Sequence, residues 1–231
     1  MTLHIDYQLK KSQKRKTIAI NIKNSEVTVL APHFVPKSYI DDLIIKKHQW
    51  INNKIAEQQL NTDAIKNKKS PLETQSFKLF GETISIQLLR SNVSSIEFDG
   101  KTLFLSAASR VKNLQAHYQK QLKVFLKQSL DSYLDIKLPE VSNYMELSFT
   151  NYQIKTYKRR WGSCNSKKEL TFNVLLAGAP KWVIDYVIVH EISHLKYLDH
   201  SKRFWRLVNS HYSNVTEAES WLKINAMSLD I

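Results

Sequence analysis

Residues 182–194 read WVIDYVIVHEISH, an apolar run that ends in two histidines separated by three residues. Pro180 stands just before this run, and the combination favours a buried helix. Because residues four apart share one face of a helix, His190 and His194 can direct both imidazoles at one metal ion. Glu191 lies about 100° further round the helix, where its carboxylate can take a proton from a water on that ion. The run therefore predicts a zinc site with Glu191 as general base.

A catalytic zinc site also needs a third protein ligand and a position left open for water. His200 is the leading candidate, since it follows His194 by six residues, which is the metzincin spacing. Metzincins have glycine at the turn where this chain has Tyr197, so the turn here must differ. Downstream carboxylates remain alternative third ligands: Asp199, Glu217 and Glu219. A ligating imidazole usually donates its other nitrogen to an acceptor, and Asp185 and Asp199 are local candidates for that acceptor.

A basic run precedes the turn at residues 161–163, and it comprises Lys155, Lys158, Arg159 and Arg160. Arg160 could hold an anionic substrate or stabilise an oxyanion, or it could belong to a solvated edge strand. Ser163 could form a hydrogen bond to substrate, although a structural role, in which its hydroxyl caps the turn, is the preferred interpretation. Gly162 is expected to supply a backbone conformation that other residues do not tolerate.

Four side chains beside or beyond these motifs could also reach the metal site. Tyr186 lies one helical turn before His190 and could donate a hydrogen bond to an oxyanion, although a packed aromatic ring is the simpler interpretation. Cys164 could be a nucleophile, but a lone cysteine here fits a small core residue better. His211 and Tyr212 could line the site from beyond the third ligand.

The 231 residues carry 34 Lys+Arg against 21 Asp+Glu, for a formal net charge of +13. This excess predicts attraction to polyanions such as nucleic acid or nucleotides, although a solvated basic surface explains it equally well. Basic residues cluster in two places outside the metal site: Lys10, Lys11, Lys14, Arg15 and Lys16, and then Lys66, Lys68 and Lys69. Nucleic acid bound through this basic surface is therefore one hypothesis for a partner.

Cys164 is the only cysteine, which excludes an internal disulfide and a cysteine-based zinc ribbon. The N-terminus lacks the apolar core of a secretory signal, and no apolar stretch is long enough for a transmembrane helix. We therefore expect a cytoplasmic protein without a membrane partner. The oligomeric state stays open.

Alternation of apolar and polar residues predicts strands over most of the first half of the chain. One helix is predicted there, over residues 36–59, followed by a polar linker over 61–76. Asp99-Gly100, between two short apolar stretches, predicts a hairpin turn.

The second half is predicted to be mostly helical, with helices over about 109–136, 181–198 and 216–228 and an extended stretch over 147–175. The predicted fold class is accordingly α+β. We place a β-rich N-terminal region with one helix at 1–106 and a mostly helical domain, which carries the metal site, at 107–231.

Several motifs together resemble the YgjP-like metal-dependent hydrolases, which are relatives of the SprT and WLM zinc peptidases. They are Arg160-Trp161-Gly162-Ser163-Cys164, Leu170-Thr171-Phe172-Asn173, Leu176, Pro180, residues 185–194, His200-Ser201 and Phe204-Trp205. The early strand pair, with Lys14-Arg15-Lys16 between its arms, also resembles that family's N-terminal region. The resemblance covers nearly the whole chain.

This resemblance implies a zincin-type C-terminal domain that holds one zinc on His190, His194 and His200, with Glu191 as general base. It implies a metallopeptidase that acts on peptides or proteins. Some members are described as nucleotide pyrophosphatases, so hydrolysis of nucleoside triphosphates at the same metal is the alternative. The net charge favours that alternative, while the lack of a glycine-rich phosphate loop disfavours it. The third hypothesis is a nucleic-acid-associated metalloprotein with a structural metal. Glu191 between the two histidines disfavours it, because a structural metal needs no general base.

Overall fold

The computed structural model describes residues 5–66, 69–226 and 229, and the chain divides into two compact units, Met1–Lys68 and Lys69–Ile231. The division that we predicted after residue 106 falls inside the second unit. The reason is a shared core: the buried residues of the strands between Phe77 and Ala107 lie in the same apolar cluster as the leucines of the following helix.

The first unit contains a three-stranded sheet and two helices. Strands β1 (Tyr7–Ser12), β2 (Ala19–Lys23) and β3 (Glu26–Pro32) lie in the order β1-β3-β2, with β1 parallel and β2 antiparallel to β3. Helices α1 (Lys37–Lys46) and α2 (His48–Lys66) follow. They replace the single predicted helix over 36–59, because Lys47 between them leaves helical geometry at φ −99° and ψ 6°.

A four-stranded sheet opens the second unit. A short helix, α3 (Pro71–Thr74), lies within the predicted linker and leads into strands β4 (Ser76–Leu79), β5 (Glu82–Ser91), β6 (Ser95–Phe98) and β7 (Thr102–Ala108), in the order β4-β5-β7-β6. The predicted hairpin turn is present between β6 and β7. Gly100 there has φ +97°, and the Asp99 carboxylate accepts hydrogen bonds from two following backbone amides.

Helix α4 (Leu114–Tyr144) is the central element of the second unit's core. Leucines at four-residue steps form its buried face: Leu122, Leu126, Leu130, Leu134 and Leu138. The helix runs eight residues beyond its predicted end at 136, because this apolar face continues to Leu138 and Val141.

The last part of the chain combines a small sheet with three helices. Strands β8 (Asn151–Lys155), β9 (Gly162–Cys164) and β10 (Glu169–Asn173) lie in the order β8-β10-β9, and a 3₁₀ turn follows over Val174–Gly178. Helices α5 (Lys181–Ser193), α6 (Lys202–His211) and α7 (Val215–Asn225) complete the unit, and α5 packs against β9, α6 and α7. The end predicted for the last helix, residues 227–228, lies outside the described residues.

The fold is therefore α+β, as predicted, and each of the three sheets is followed along the chain by one or more helices. Helix α5 is nearly enclosed, since Val183, Ile184, Ile188 and Ile192 are fully buried. Within the described ranges, no helix has the length and apolar character that crossing a membrane requires.

Candidate metal centre

Three histidines converge where helix α5 ends. His190 belongs to its last turn, His194 is its C-terminal cap, and His200 lies in the loop before α6. Each offers one nitrogen within 4.8 Å of the others, and the Nε2 atoms of His190 and His200 are 3.1 Å apart. The chain thus brings together the three histidines that the spacing singled out.

The turn that carries His200 back forms without glycine. Helix α5 ends at Ser193 rather than near 198, and the amides of Lys196 and Tyr197 both bond to the Ser193 carbonyl. Asp199 in this turn is exposed and accepts a hydrogen bond from the Ser201 amide at 3.1 Å. Its carboxylate therefore stabilises the start of α6 and is not part of the histidine group.

Hydrogen bonding and packing fix the imidazole of His194. Its Nδ1 lies 2.9 Å from the backbone oxygen of Tyr197. A carbonyl oxygen can only accept, so Nδ1 carries the proton and Nε2 keeps its lone pair for a metal. Phe204, which is fully buried, stacks on the same ring at 4.4 Å between centroids and also contacts the rings of His190 and His200.

Burial also fixes the charge of these ligands. Desolvation, together with the smaller effects of the neighbouring His194 and His200, lowers the pKa of His190 to about 3. Desolvation lowers the pKa of His194 too. Both rings are consequently neutral near pH 7, which is the form that binds a divalent ion. The donor set suits zinc, which takes imidazole nitrogens readily.

Glu191 is buried beside the histidines. Burial raises the pKa of its carboxyl to about 8, while the positive charge of Arg160 acts in the opposite direction. Its Oε2 atom is buried and has no hydrogen-bond partner among the described residues. Since buried polar atoms are nearly always paired, this atom fits a site that receives a water, an ion or a substrate.

Gly162 provides the space that Glu191 occupies. A Cβ atom at position 162 would lie 2.4 Å from Oε1 of Glu191 and 2.7 Å from its Cδ. The sequence predicted an unusual backbone conformation here, and the structure gives another reason: the β9 backbone passes too close to the carboxylate for any side chain. Glycine is required for close approach rather than for a positive φ.

Arg160 is exposed at the mouth of the cleft, with its guanidinium 5.5 Å above the Tyr157 ring. Its loop is held by Asn173, a buried residue to which we assigned no function. The Asn173 amide nitrogen donates to the backbone oxygens of Tyr157 and Arg160 at 3.0 and 2.9 Å. Its amide oxygen accepts from the amides of Tyr157 and Leu175. A polar residue that ends a fully buried strand was the signal for this position.

The other predicted side chains divide between the cleft and its surroundings. Ser163 lines the cleft, and its hydroxyl lies 3.3 Å from that of Tyr157. Cys164 also lines it, but burial and Glu191 raise the pKa of its thiol to about 11, which disfavours a thiolate. Asp185 does not line the cleft, and its carboxylate accepts a hydrogen bond from the Tyr133 hydroxyl at 2.6 Å.

Tyr186 lies between two charged or ligating groups. Its hydroxyl is 3.4 Å from Nδ1 of His190 and donates to Oε1 of Glu219 at 3.1 Å. Tyr212 packs against the Tyr186 ring at 5.7 Å and donates its own hydroxyl to the Trp182 carbonyl. Tyr212 and His211 do not line the cleft, whereas Glu219 does.

The cleft itself has a volume of about 570 Å³. It is lined by the histidines, Glu191 and strand β9, together with three side chains that the sequence motifs did not identify: Leu198, Leu222 and Lys223. Of the basic run, Arg160 lines the cleft, while Lys155, Lys158 and Arg159 do not. The cleft is large enough for a few residues of an extended peptide or for a nucleotide.

Comparison with known proteins gives one family. No curated protein matches the chain. Among solved structures, the metallopeptidase zymogen abylysin of Pyrococcus abyssi is similar, with 19% identity and a TM-score of 0.37, over 40% of this chain and 92% of that chain. The family described as YgjP-like, metallopeptidase domain, matches residues 16–225. Because that match spans most of the sequence, the chain belongs to the YgjP-like family and carries its metallopeptidase domain.

Proposed function

We propose that this protein is a zinc-dependent peptidase in which Glu191 is the general base for the water that attacks a peptide carbonyl. The position of Glu191 carries the proposal. Its carboxylate is buried, its Oε2 atom has no partner among the described residues, and it adjoins three converging imidazoles. Membership of a metallopeptidase family supports a peptide as the substrate class.

His190, His194 and His200 would hold the ion through one nitrogen each. Zinc bound there would lower the pKa of a water and polarise the substrate carbonyl. Glu191 takes the proton of the attacking water on its carboxylate and passes it to the leaving nitrogen. Burial favours the protonated form of Glu191, which suits delivery of the proton to the leaving nitrogen, and the positive charge of a bound zinc would favour the carboxylate that first accepts it. Arg160 at the mouth adds a positive charge where an oxyanion develops.

The test compares the wild type with Glu191→Gln, which keeps the shape of the side chain and removes the base. Glu217→Gln is the matched control, because Glu217 is an exposed carboxylate on α7 outside the cleft. We expect Glu191→Gln to lower kcat/KM on a peptide library by about 10²–10⁴-fold with unchanged zinc content. Equal cleavage by the wild type and Glu191→Gln would exclude the proposed role.

Hydrolysis of nucleoside triphosphates at the same site is the second candidate. The observation in its favour is that two cationic side chains, Arg160 and Lys223, line the cleft. The same three proteins, assayed with nucleoside triphosphates, separate the two functions. We expect no phosphate release that depends on Glu191, and release lost only in Glu191→Gln would reassign the substrate while keeping the site.

A further inference from the structure

A chain of contacts connects three side chains that line the cleft, His190, Tyr186 and Glu219. Tyr186 is buried on α5, one helical turn before His190, and its hydroxyl lies 3.4 Å from Nδ1 of that histidine. The same hydroxyl lies 3.1 Å from Oε1 of Glu219 on α7. Helices α5 and α7 pack together, so the contact joins two elements of the domain.

The direction of each hydrogen bond follows from the number of protons. An ionised carboxylate only accepts, so the single proton of the Tyr186 hydroxyl points to Glu219. The oxygen of that hydroxyl then faces His190 with a lone pair, and Nδ1 must carry the imidazole proton to donate to it. Nε2 of His190 is left with its lone pair, 3.1 Å from Nε2 of His200.

We propose that Tyr186 and Glu219 are positioning residues that fix the orientation and tautomer of His190 for metal binding. This inference rests on the metal site of the proposed function. It replaces the sequence-based hypothesis that Tyr186 donates to an oxyanion, because its only proton is engaged by Glu219. In this proposal Glu219 acts on the metal site through Tyr186 and His190, whereas the sequence had suggested Glu219 as an alternative direct ligand.

The comparison with His194 shows why His190 needs this pair. His194 is held by the backbone oxygen of Tyr197, which every residue at position 197 supplies. His190 lies in a regular helix, where the backbone oxygens are occupied by the helix itself. A side-chain partner is therefore the available means of holding its Nδ1 proton, and Tyr186 at the position four residues earlier lies on the same face.

The test measures zinc affinity by competition with a chromophoric chelator, in the whole chain of 231 residues. Tyr186→Phe keeps the ring and its packing on Tyr212, and Glu219→Ala removes an exposed side chain and with it the acceptor of the Tyr186 proton, so both variants are expected to fold. Removing a partner of a ligating histidine typically lowers metal affinity by about 10–100-fold. We expect that loss in each variant and no further loss in the double variant, since both substitutions break one chain of hydrogen bonds. Glu217→Gln, two residues away on α7, is expected to bind zinc like the wild type.

A second readout reports the tautomer directly. Nitrogen-15 NMR of the histidine rings in the metal-free protein is expected to show His190 protonated at Nδ1 in the wild type. In Tyr186→Phe, the population protonated at Nε2 is expected to rise. Such a change would not follow from a packing role for the tyrosine ring.

The outcomes separate this inference from the proposed function. Unchanged affinity in Tyr186→Phe together with a large loss in Glu219→Ala would make Glu219 a direct ligand and overturn the inference. Unchanged affinity and tautomer in both variants would overturn it as well. Wild-type protein that binds zinc, loses affinity in both variants and cleaves no peptide would refute the peptidase proposal alone. Failure of the wild type to bind zinc would refute both.

Discussion

At the scale of single residues, the absence of a side chain at position 162 should matter for catalysis. Gly162→Ala would place a methyl group 2.4 Å from Oε1 of Glu191 and force the carboxylate to move. A displacement of about 1 Å in a catalytic group can lower activity by roughly 100-fold. We therefore expect a loss of that size in kcat/KM on a cleaved peptide, with zinc content retained.

Gly100 provides the matched control for that substitution. A Cβ atom there would meet nothing within 4 Å, but the residue has φ +97° in the hairpin turn between β6 and β7. Gly100→Ala is thus expected to lower the free energy of unfolding by about 1 kcal/mol and leave activity unchanged. The reverse result, with activity lost in Gly100→Ala and kept in Gly162→Ala, would contradict this interpretation of the cleft.

Glu191 should also make the stability of the metal-free protein depend on pH. Its folded-state pKa of about 8 lies above the ordinary 4.5, so the folded state binds the proton more tightly. The resulting stabilisation is full below about pH 4.5 and is lost as the pH rises through 8. Glu191→Gln does not titrate there. We expect thermal unfolding in the presence of a chelator to show that the free energy of unfolding of the variant rises relative to that of the wild type between about pH 5 and 8. The expected increase is on the order of 1–3 kcal/mol. A difference that does not change with pH would contradict the raised pKa.

At the scale of elements, the loop before β9 depends on one buried amide. Asn173→Asp would replace two donors by acceptors opposite the carbonyls of Tyr157 and Arg160. The cost of leaving these partly buried carbonyls unpaired is up to about 1–3 kcal/mol. We expect a lower melting temperature and a lower kcat, because Arg160 loses its fixed position. Asn209→Asp, which loses one bond to an exposed carbonyl, is expected to change both much less.

The elements also show what periodicity can and cannot predict. The buried faces of α4 and α5 were predictable, because apolar residues recur along them at helical spacing. The break at Lys47 and the end of α5 at Ser193 were not, since both sites lack the glycine or proline that usually marks a helix end. Boundaries of this kind depend on packing between elements, which a single sequence does not display.

The residues of the candidate metal site also fall into those that a local pattern predicts and those that depend on packing between elements. His190, Glu191 and His194 were predictable from spacing on one helix, and His200 from its distance along the chain. Glu219 and Asn173 act through contacts with residues 33 and 16 positions away, and no local pattern encodes such contacts. The requirement for glycine at position 162 was likewise not predictable, because it comes from the side chain of Glu191 on another element.

At the scale of the whole molecule, the net charge of +13 includes a group of lysines along a groove of the second unit. A groove of about 360 Å³ lies between α4 and β8, and four lysines line it: Lys120, Lys123, Lys127 and Lys155. None of the described lining residues is a carboxylate. We expect duplex DNA to bind there in a salt-dependent manner, because phosphate contacts release counterions.

The substitutions Lys123→Ala and Lys127→Ala test this expectation together. Each lost phosphate contact reduces the slope of log affinity against log salt by about 0.9, so fluorescence anisotropy over a salt series should show a slope shallower by up to about 1.8. Lys14→Ala with Lys16→Ala removes the same charge from exposed positions of the first unit. An equal effect of both pairs would indicate attraction by net charge alone.

The end of α5 at Ser193 has a consequence beyond the spacing of ligands. The peptide dipoles of a helix sum to a partial negative charge at its C-terminus, and there the helix presents His190 and His194. A cation at this point is favoured by the field of the whole helix, by about 0.3–1 kcal/mol at exposed ends. An ion bound there would therefore be thermodynamically linked to the last turn of α5. A substitution that frays this turn is expected to weaken metal binding without changing a candidate ligand, and metal binding is expected to slow hydrogen exchange of the amides in this turn.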